Sequence, residues 1–151
     1  MKKVLVLLLC GAMLLMLAAC SSDGSLSPEQ YKSQLEEHFT TYAEASEQVG
    51  NALQKFDFDA VQAASKTAVA EIDAICALKA PAEYADKHAE LLKDADESKA
   101  YWTNAARFCE LSNKADDLSD AESDEYMELA DKLQSTSGVM AFAYNIAAII
   151  G

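Results

Sequence analysis

Two histidines and two cysteines are the side chains in the body of this chain with the most chemistry open to them. His38 and His88 each fall on a 4-3 repeat of apolar positions, the pattern of a helix seam. Two inward imidazoles on facing helices could ligate a haem or a metal ion between them. A histidine at the edge of a seam can equally be hydrogen-bonded to a neighbour or to water, and the spacing leaves both readings open. The chain has no Cys-x-x-Cys-His for covalent haem, no His-Glu-x-x-His and no Glu-x-x-His pair of the di-iron bundle type. Glu37 precedes His38 directly, but adjacent helical residues do not converge on one ligand. Cys76 and Cys109 form no Cys-x-x-Cys, so redox chemistry of the thioredoxin kind has no motif. The acidic run Asp116, Asp117, Asp120, Glu122, Asp124 and Glu125 lacks the alternating spacing and central glycine of an EF-hand loop. Capping and solvation of a helix start account for it. No nucleophile elbow and no phosphate-cradling glycine loop is present, so catalysis has no foothold.

The elements that must position these residues are helices. Between Glu29 and Ile150 the chain holds a single proline, Pro81, and two glycines, Gly50 and Gly138, amid many Ala, Leu, Glu, Lys and Gln. Ser27-Pro28-Glu29-Gln30 opens the first helix with a serine cap, a proline at the first helical position and a glutamine at the third. Its predicted seam is Tyr31, Leu35, His38, Tyr42, Ala45, Val49, Ala52 and Phe56. A turn between Lys55 and Asp59 leads to a second helix that buries Phe58, Val61, Ser65, Ala68, Val69, Ile72, Ile75 and Cys76. It ends near Leu78, because Pro81 disfavours helical geometry just before it. The third helix runs from about Pro81 to Ser112 on the seam Tyr84, His88, Leu91, Ala95, Ser98, Trp102, Ala105 and Cys109. Ser119 and Glu122 make a capping box for a fourth helix. Its predicted seam is Tyr126, Ala130, Leu133, Ser137, Met140, Tyr144 and Ala147, with a possible kink at Ser135-Thr136-Ser137-Gly138. The aromatic rings on these seams pack a core by default. They could also line a cavity for a small ligand.

Four amphipathic helices joined by short links predict an all-α fold, an antiparallel up-down four-helix bundle over residues 28–151. In such a hairpin Cys76 faces position 84, and Cys109 lies roughly 35 Å further along the third helix. A disulfide needs Cα atoms within about 7 Å, so both cysteines are expected as thiols packed like small apolar groups. Both ends of the bundle lie at one pole. The segment Val139 to Ile150 then comes close to whatever holds the N-terminus. It is nearly all apolar, and is read either as a helix with a broad buried stripe or as a surface for lipid or a membrane partner.

The N-terminus supplies that holder. Lys2 and Lys3 precede an apolar run from Val4 to Leu17, shorter than the roughly 20 residues of a spanning helix. Leu17-Ala18-Ala19-Cys20 closes the run, and Ser21-Ser22-Asp23-Gly24-Ser25-Leu26-Ser27 follows as a polar tether. This pattern resembles the lipobox of bacterial lipoproteins. The resemblance implies that residues 1–19 are a signal peptide removed on export, and that Cys20 is acylated and becomes the mature N-terminus. Residues 20–27 are then the lipidated cysteine and its tether. The resemblance places the protein on the extracytoplasmic face of a bacterial membrane. Ser21 is similar to the residue of the outer-membrane class where the cell has two membranes.

Without residues 1–19, 10 basic and 25 acidic residues remain, a net charge of −15. Such a charge argues against nucleic acid as a partner, since phosphate backbones demand clustered Lys and Arg, and against a polybasic grip on anionic lipid. The expected function is that of a non-catalytic binding or accessory module at the cell envelope. It would be held by lipid, need no cofactor and meet another envelope protein or a small ligand. The alternative is a haem- or metal-binding bundle using His38 and His88.

Overall fold

The computed structural model describes residues 24–151; the expected signal peptide, Cys20 and the first residues of the expected tether lie outside that range. The described residues are all-helical, with no strand among them. Among the described residues there are five α-helices: α1 (Pro28–Leu53), α2 (Phe58–Ala77), α3 (Ala85–Ser112), α4 (Asp120–Lys132) and α5 (Ser137–Ile150). Single 3-10 turns, Ala82–Tyr84 and Ala115–Asp117, precede α3 and α4.

Local chemistry fixes the starts. Ser27 accepts from the Gln30 backbone N–H at 3.2 Å while the Gln30 side chain accepts from the Ser27 N–H at 3.1 Å. Ser119 and Glu122 form the same reciprocal box for α4. Those bonds, together with Lys114, pull the Glu122 carboxyl down to about 2. Asp57 caps α2 through the Ala60 N–H. Pro81 stops α2 as expected, with Leu78 already extended.

Packing follows the three predicted seams. Helix α1 packs on α2, α2 on α3, α3 on both α4 and α5, and α5 returns to α1. Direction can be read from the contacts. His38 meets Glu71, Lys99 meets Asp73, and Asn145 of α5 meets Asp94 of α3 while Lys87 meets Ala148, so α1 and α2, α2 and α3, and α3 and α5 run antiparallel. Tyr31 meets His88 and Tyr42 meets Ser98 at nearly constant offset, so α1 and α3 run parallel. The core holds Tyr31, Leu35, Tyr42, Ile72, Ile75, Leu91, Trp102, Phe142, Ile146 and Ile149.

Two expectations are corrected. Phe56 is not a seam residue: α1 ends at Leu53, and Phe56 sits in the turn, 79% exposed, at φ 56°. That left-handed backbone costs a non-glycine residue about 1–2 kcal/mol. It lets three residues reverse the chain onto the Asp57 cap. The expected fourth helix is also two helices, α4 and α5, bent by 45° at residues 133–136. The bend resets the phase. Ser137, Met140, Tyr144 and Ala147 face outward, and Gly138, Phe142, Ile146 and Ile149 are buried instead. Helix α4 is fastened to α3 by a bidentate Arg107–Glu125 pair at 2.8 and 2.9 Å and by Phe108 stacked on Tyr126 at 4.5 Å.

At Gly138 the backbone of α5 lies close against α3. A Cβ there would lie 2.5 Å from Glu97 Cβ and 3.1 Å from its backbone carbon, whereas one at Gly50 would meet nothing within 4 Å. The two glycines should therefore respond with opposite sign in urea unfolding. Gly138→Ala is expected to lose about 1–3 kcal/mol by overpacking. Gly50→Ala is expected to gain about 0.5–1 kcal/mol from helix propensity. A Gly138→Ala chain as stable as the parent would show that the close approach is not rigid.

Candidate functional site

The helices carry two buried polar clusters, and the sequence-predicted histidines fall into different surroundings. His88 lies on the inner face of α3, 8% exposed, with Nδ1 and the Tyr31 hydroxyl oxygen 2.8 Å apart. Tyr31 is fully buried and stacks on Tyr84 at 5.6 Å, and the Lys32 ammonium sits over the outer Tyr84 ring. Burial pushes the Tyr31 phenol up to about 12 and the His88 imidazole below its ordinary 6.5. Both groups are therefore neutral in the folded protein at neutral pH, and one proton between them satisfies two polar atoms.

His38 is half-buried and turns toward α2, where its Nδ1 is 2.7 Å from Glu71 Oε2. The structure does not bring the two imidazoles together. His88 is level with Tyr31, and His38 is seven residues further along α1, roughly 10 Å by helical rise. Each Nδ1 already holds a protein partner, on different sides of the core. Among the described residues, no three His, Cys, Asp or Glu side chains gather as a metal-holding group.

The second cluster lies deeper and was missed at the level of sequence, where Tyr42, Ser98 and Trp102 read only as seam residues. Trp102 Nε1–H donates to the Tyr42 hydroxyl at 3.2 Å, and that hydroxyl is 3.3 Å from Ser98 Oγ. Phe142 of α5 meets the same tyrosine ring edge-on at 5.7 Å. Tyr42 thus ties α1, α3 and α5 at mid-height. Its signal in the sequence is a serine at a seam position one helical turn from a tryptophan.

Both cysteines are free. Cys109 is buried and Cys76 half-buried, and burial pushes both thiols up. For Cys76 the nearby Lys99 opposes that shift, while Asp73 and Asp96 reinforce it. Thiols held protonated are poor nucleophiles and poor ligands.

Two of the open clefts between the helices are lined by described residues. One, of about 200 Å³, is lined by Ser65, Lys66 and Val69 of α2 and Trp102, Thr103 and Ala106 of α3. The other, of about 310 Å³, lies between Phe58, Leu111, Ser112, Leu118 and Tyr126. Both are mostly apolar, and Ser65 Oγ, buried at the floor of the first, has no hydrogen-bond partner.

Two outcomes follow. As the pH falls below 6.5, the unfolded chain takes up a proton that folded His88 does not. Stability is therefore full above 6.5 and declines below it, until the folded imidazole itself protonates. Urea unfolding from neutral pH to just above the carboxylate range should show this decline, and a Tyr31→Phe/His88→Phe double variant should lose that part of it. An unchanged slope would contradict a buried neutral His88. Ser65→Ala removes an unsatisfied hydroxyl and is expected to be neutral or stabilising by about 1 kcal/mol. A loss of that size by the same unfolding measurement would mean that the hydroxyl has a partner. Comparison with protein-family models, with curated proteins and with solved structures finds no match to this chain.

Proposed function

We propose that this protein is a lipid-anchored bacterial envelope protein whose helical domain is a non-catalytic binding or accessory module. The observation that carries the reading is the sequence Leu17-Ala18-Ala19-Cys20, closing a short apolar run that opens on Lys2 and Lys3. Cys20 is the acylation site, and the domain sits on the extracytoplasmic face of the membrane. Two or more acyl chains on that residue would hold it stably, since one chain alone binds only marginally.

We read the helices as an up-down four-helix bundle with a broken last member. The closed ring of contacts from α1 through α2, α3 and α5 back to α1 supports this, with α4 as an outrigger on α3. The non-catalytic reading is supported by the partners of the reactive groups. His88 is paired with Tyr31, His38 with Glu71, and the thiols are held protonated. The described clefts fall at or below the lower end of the roughly 300–1,000 Å³ of small-molecule sites. The partner of this surface is another envelope protein or a small ligand.

Growth in labelled palmitate tests the anchor. The parent chain is expected to carry label and sediment with membranes. Cys20→Ser should lose the label and, if exported, move to the soluble extracytoplasmic fraction. A Cys20→Ser chain that keeps its label would overturn the assignment.

A further inference from the structure

Helix α5 alone among the five carries no Asp, Glu, Lys or Arg. Its inner half is core: Phe142, Ile146 and Ile149 are at most 1% exposed. Its outer half is unpartnered. Met140 is 67% exposed and Tyr144, one turn on, 75% exposed, with Ala147 and Ala148 exposed beyond them. The outward faces of α1 to α4 all carry carboxylates, among them Glu36, Asp59, Glu90 and Asp124.

Position gives this face an occupant. The end of α5 is fastened beside the start of α1: Lys32 Nζ donates to the Ile150 carbonyl at 3.2 Å, and Lys87 Nζ to the Ala148 carbonyl at 2.9 Å. The tether enters at the same pole. The Leu26 N–H donates to the Lys79 carbonyl at 3.0 Å, and the Leu26 side chain packs against the core. Covalent geometry lets the four peptide steps between Gly24 and Cys20 span at most roughly 14 Å. Acyl chains on Cys20 therefore bring the bilayer to the pole where α5 ends. Of the surfaces reaching that pole, the α1 face presents Glu29 and Glu36, and the α3 face presents Glu83, Asp86 and Glu90. Laying either on the bilayer would strip water from carboxylates, which is costly. The outward face of α5 requires no such desolvation. Charges that touch the helix include Lys32 and Lys87 at its end and Asp94 and Glu97 on α3, and Asp94 already accepts from Asn145 Nδ2 at 2.6 Å.

We propose that the outward face of α5, with Met140 and Tyr144 at its centre, rests in the interfacial layer of the membrane that holds the anchor. This deepens the anchored reading and depends on it. The helix lies along the surface; its 14 residues span about 21 Å, short of the roughly 30 Å of a hydrocarbon core. No single described helix is long and apolar enough to cross. A tyrosine suits that layer, ring toward the acyl chains and hydroxyl toward water. The domain would then lie on its side, leaving the acidic faces to water and to partners.

The test uses the full chain, purified from membranes, with acylation established by intact mass. It is reconstituted in phosphatidylcholine vesicles with brominated acyl chains, which quench tryptophan on contact. Tyr144→Trp and Phe56→Trp each add one exposed reporter, Phe56 being at the opposite pole. Buried Trp102 remains as a constant background. The added emission of Tyr144→Trp is expected to fall about twofold or more on bromination, and that of Phe56→Trp to stay unchanged. An acylated chain in which both reporters are equally unquenched overturns the face and leaves the anchor standing; the face would then meet water or a protein partner. A chain whose mass shows no acylation overturns the anchor, and the proposal with it.

Discussion

One helix without a charge has to satisfy two surroundings at once, and most of the architecture can be traced to how it does so. The inner half of α5 is drawn into the gap between α1 and α3, where Phe142 meets Tyr42 edge-on and Ile146 and Ile149 complete the core. With no charged side chain of its own, α5 is positioned by neighbours. Asp94 accepts from Asn145, Lys32 and Lys87 bond its last carbonyls, and Glu97 lies against Gly138. Lysines at a helix C-terminus also suit the negative end of its dipole. The same placement turns Met140 and Tyr144 outward and brings the end of α5 to the pole where the chain enters from its N-terminal side.

The first three helices were legible because their sequences obey one period throughout. Every residue of the predicted third seam from His88 to Cys109 is buried. Both predicted capping boxes form. The last stretch was misread for a physical reason. A heptad count carries its phase through any segment that remains helical in composition, and the 45° bend at residues 133–136 breaks that count. Ser135-Thr136-Ser137-Gly138 signalled a weak point. The direction of the new phase is set by Gly138 against Glu97, a tertiary contact that no local period records. Phe56 was misassigned in the same way, by extending the first seam past the residue where the backbone turns left-handed.

Site chemistry was legible by residue type but not by partner. His88 sits inward and His38 at the half-buried edge of its seam, where His88 found a phenol and His38 a carboxylate. Which group faces a buried imidazole depends on the rotation of neighbouring helices, which a single sequence leaves open. Serines at two equivalent seam positions show the same limit. Ser98 is satisfied by Tyr42, whereas Ser65 has no hydrogen-bond partner. The result is a core in which tyrosines bond to a histidine, a serine and a tryptophan between α1 and α3, and a surface that carries carboxylates on every helix except α5.

Such a division of surface makes sense for a domain tied to a membrane at one pole, and the tie itself is the claim to which everything else is attached. Intact mass spectrometry of the mature chain isolated from its native membrane tests it most directly. The account predicts a polypeptide that begins at Cys20 and carries the added mass of a diacylglyceryl group. A mature chain that begins at Met1, or one that begins elsewhere with no lipid mass, would contradict it.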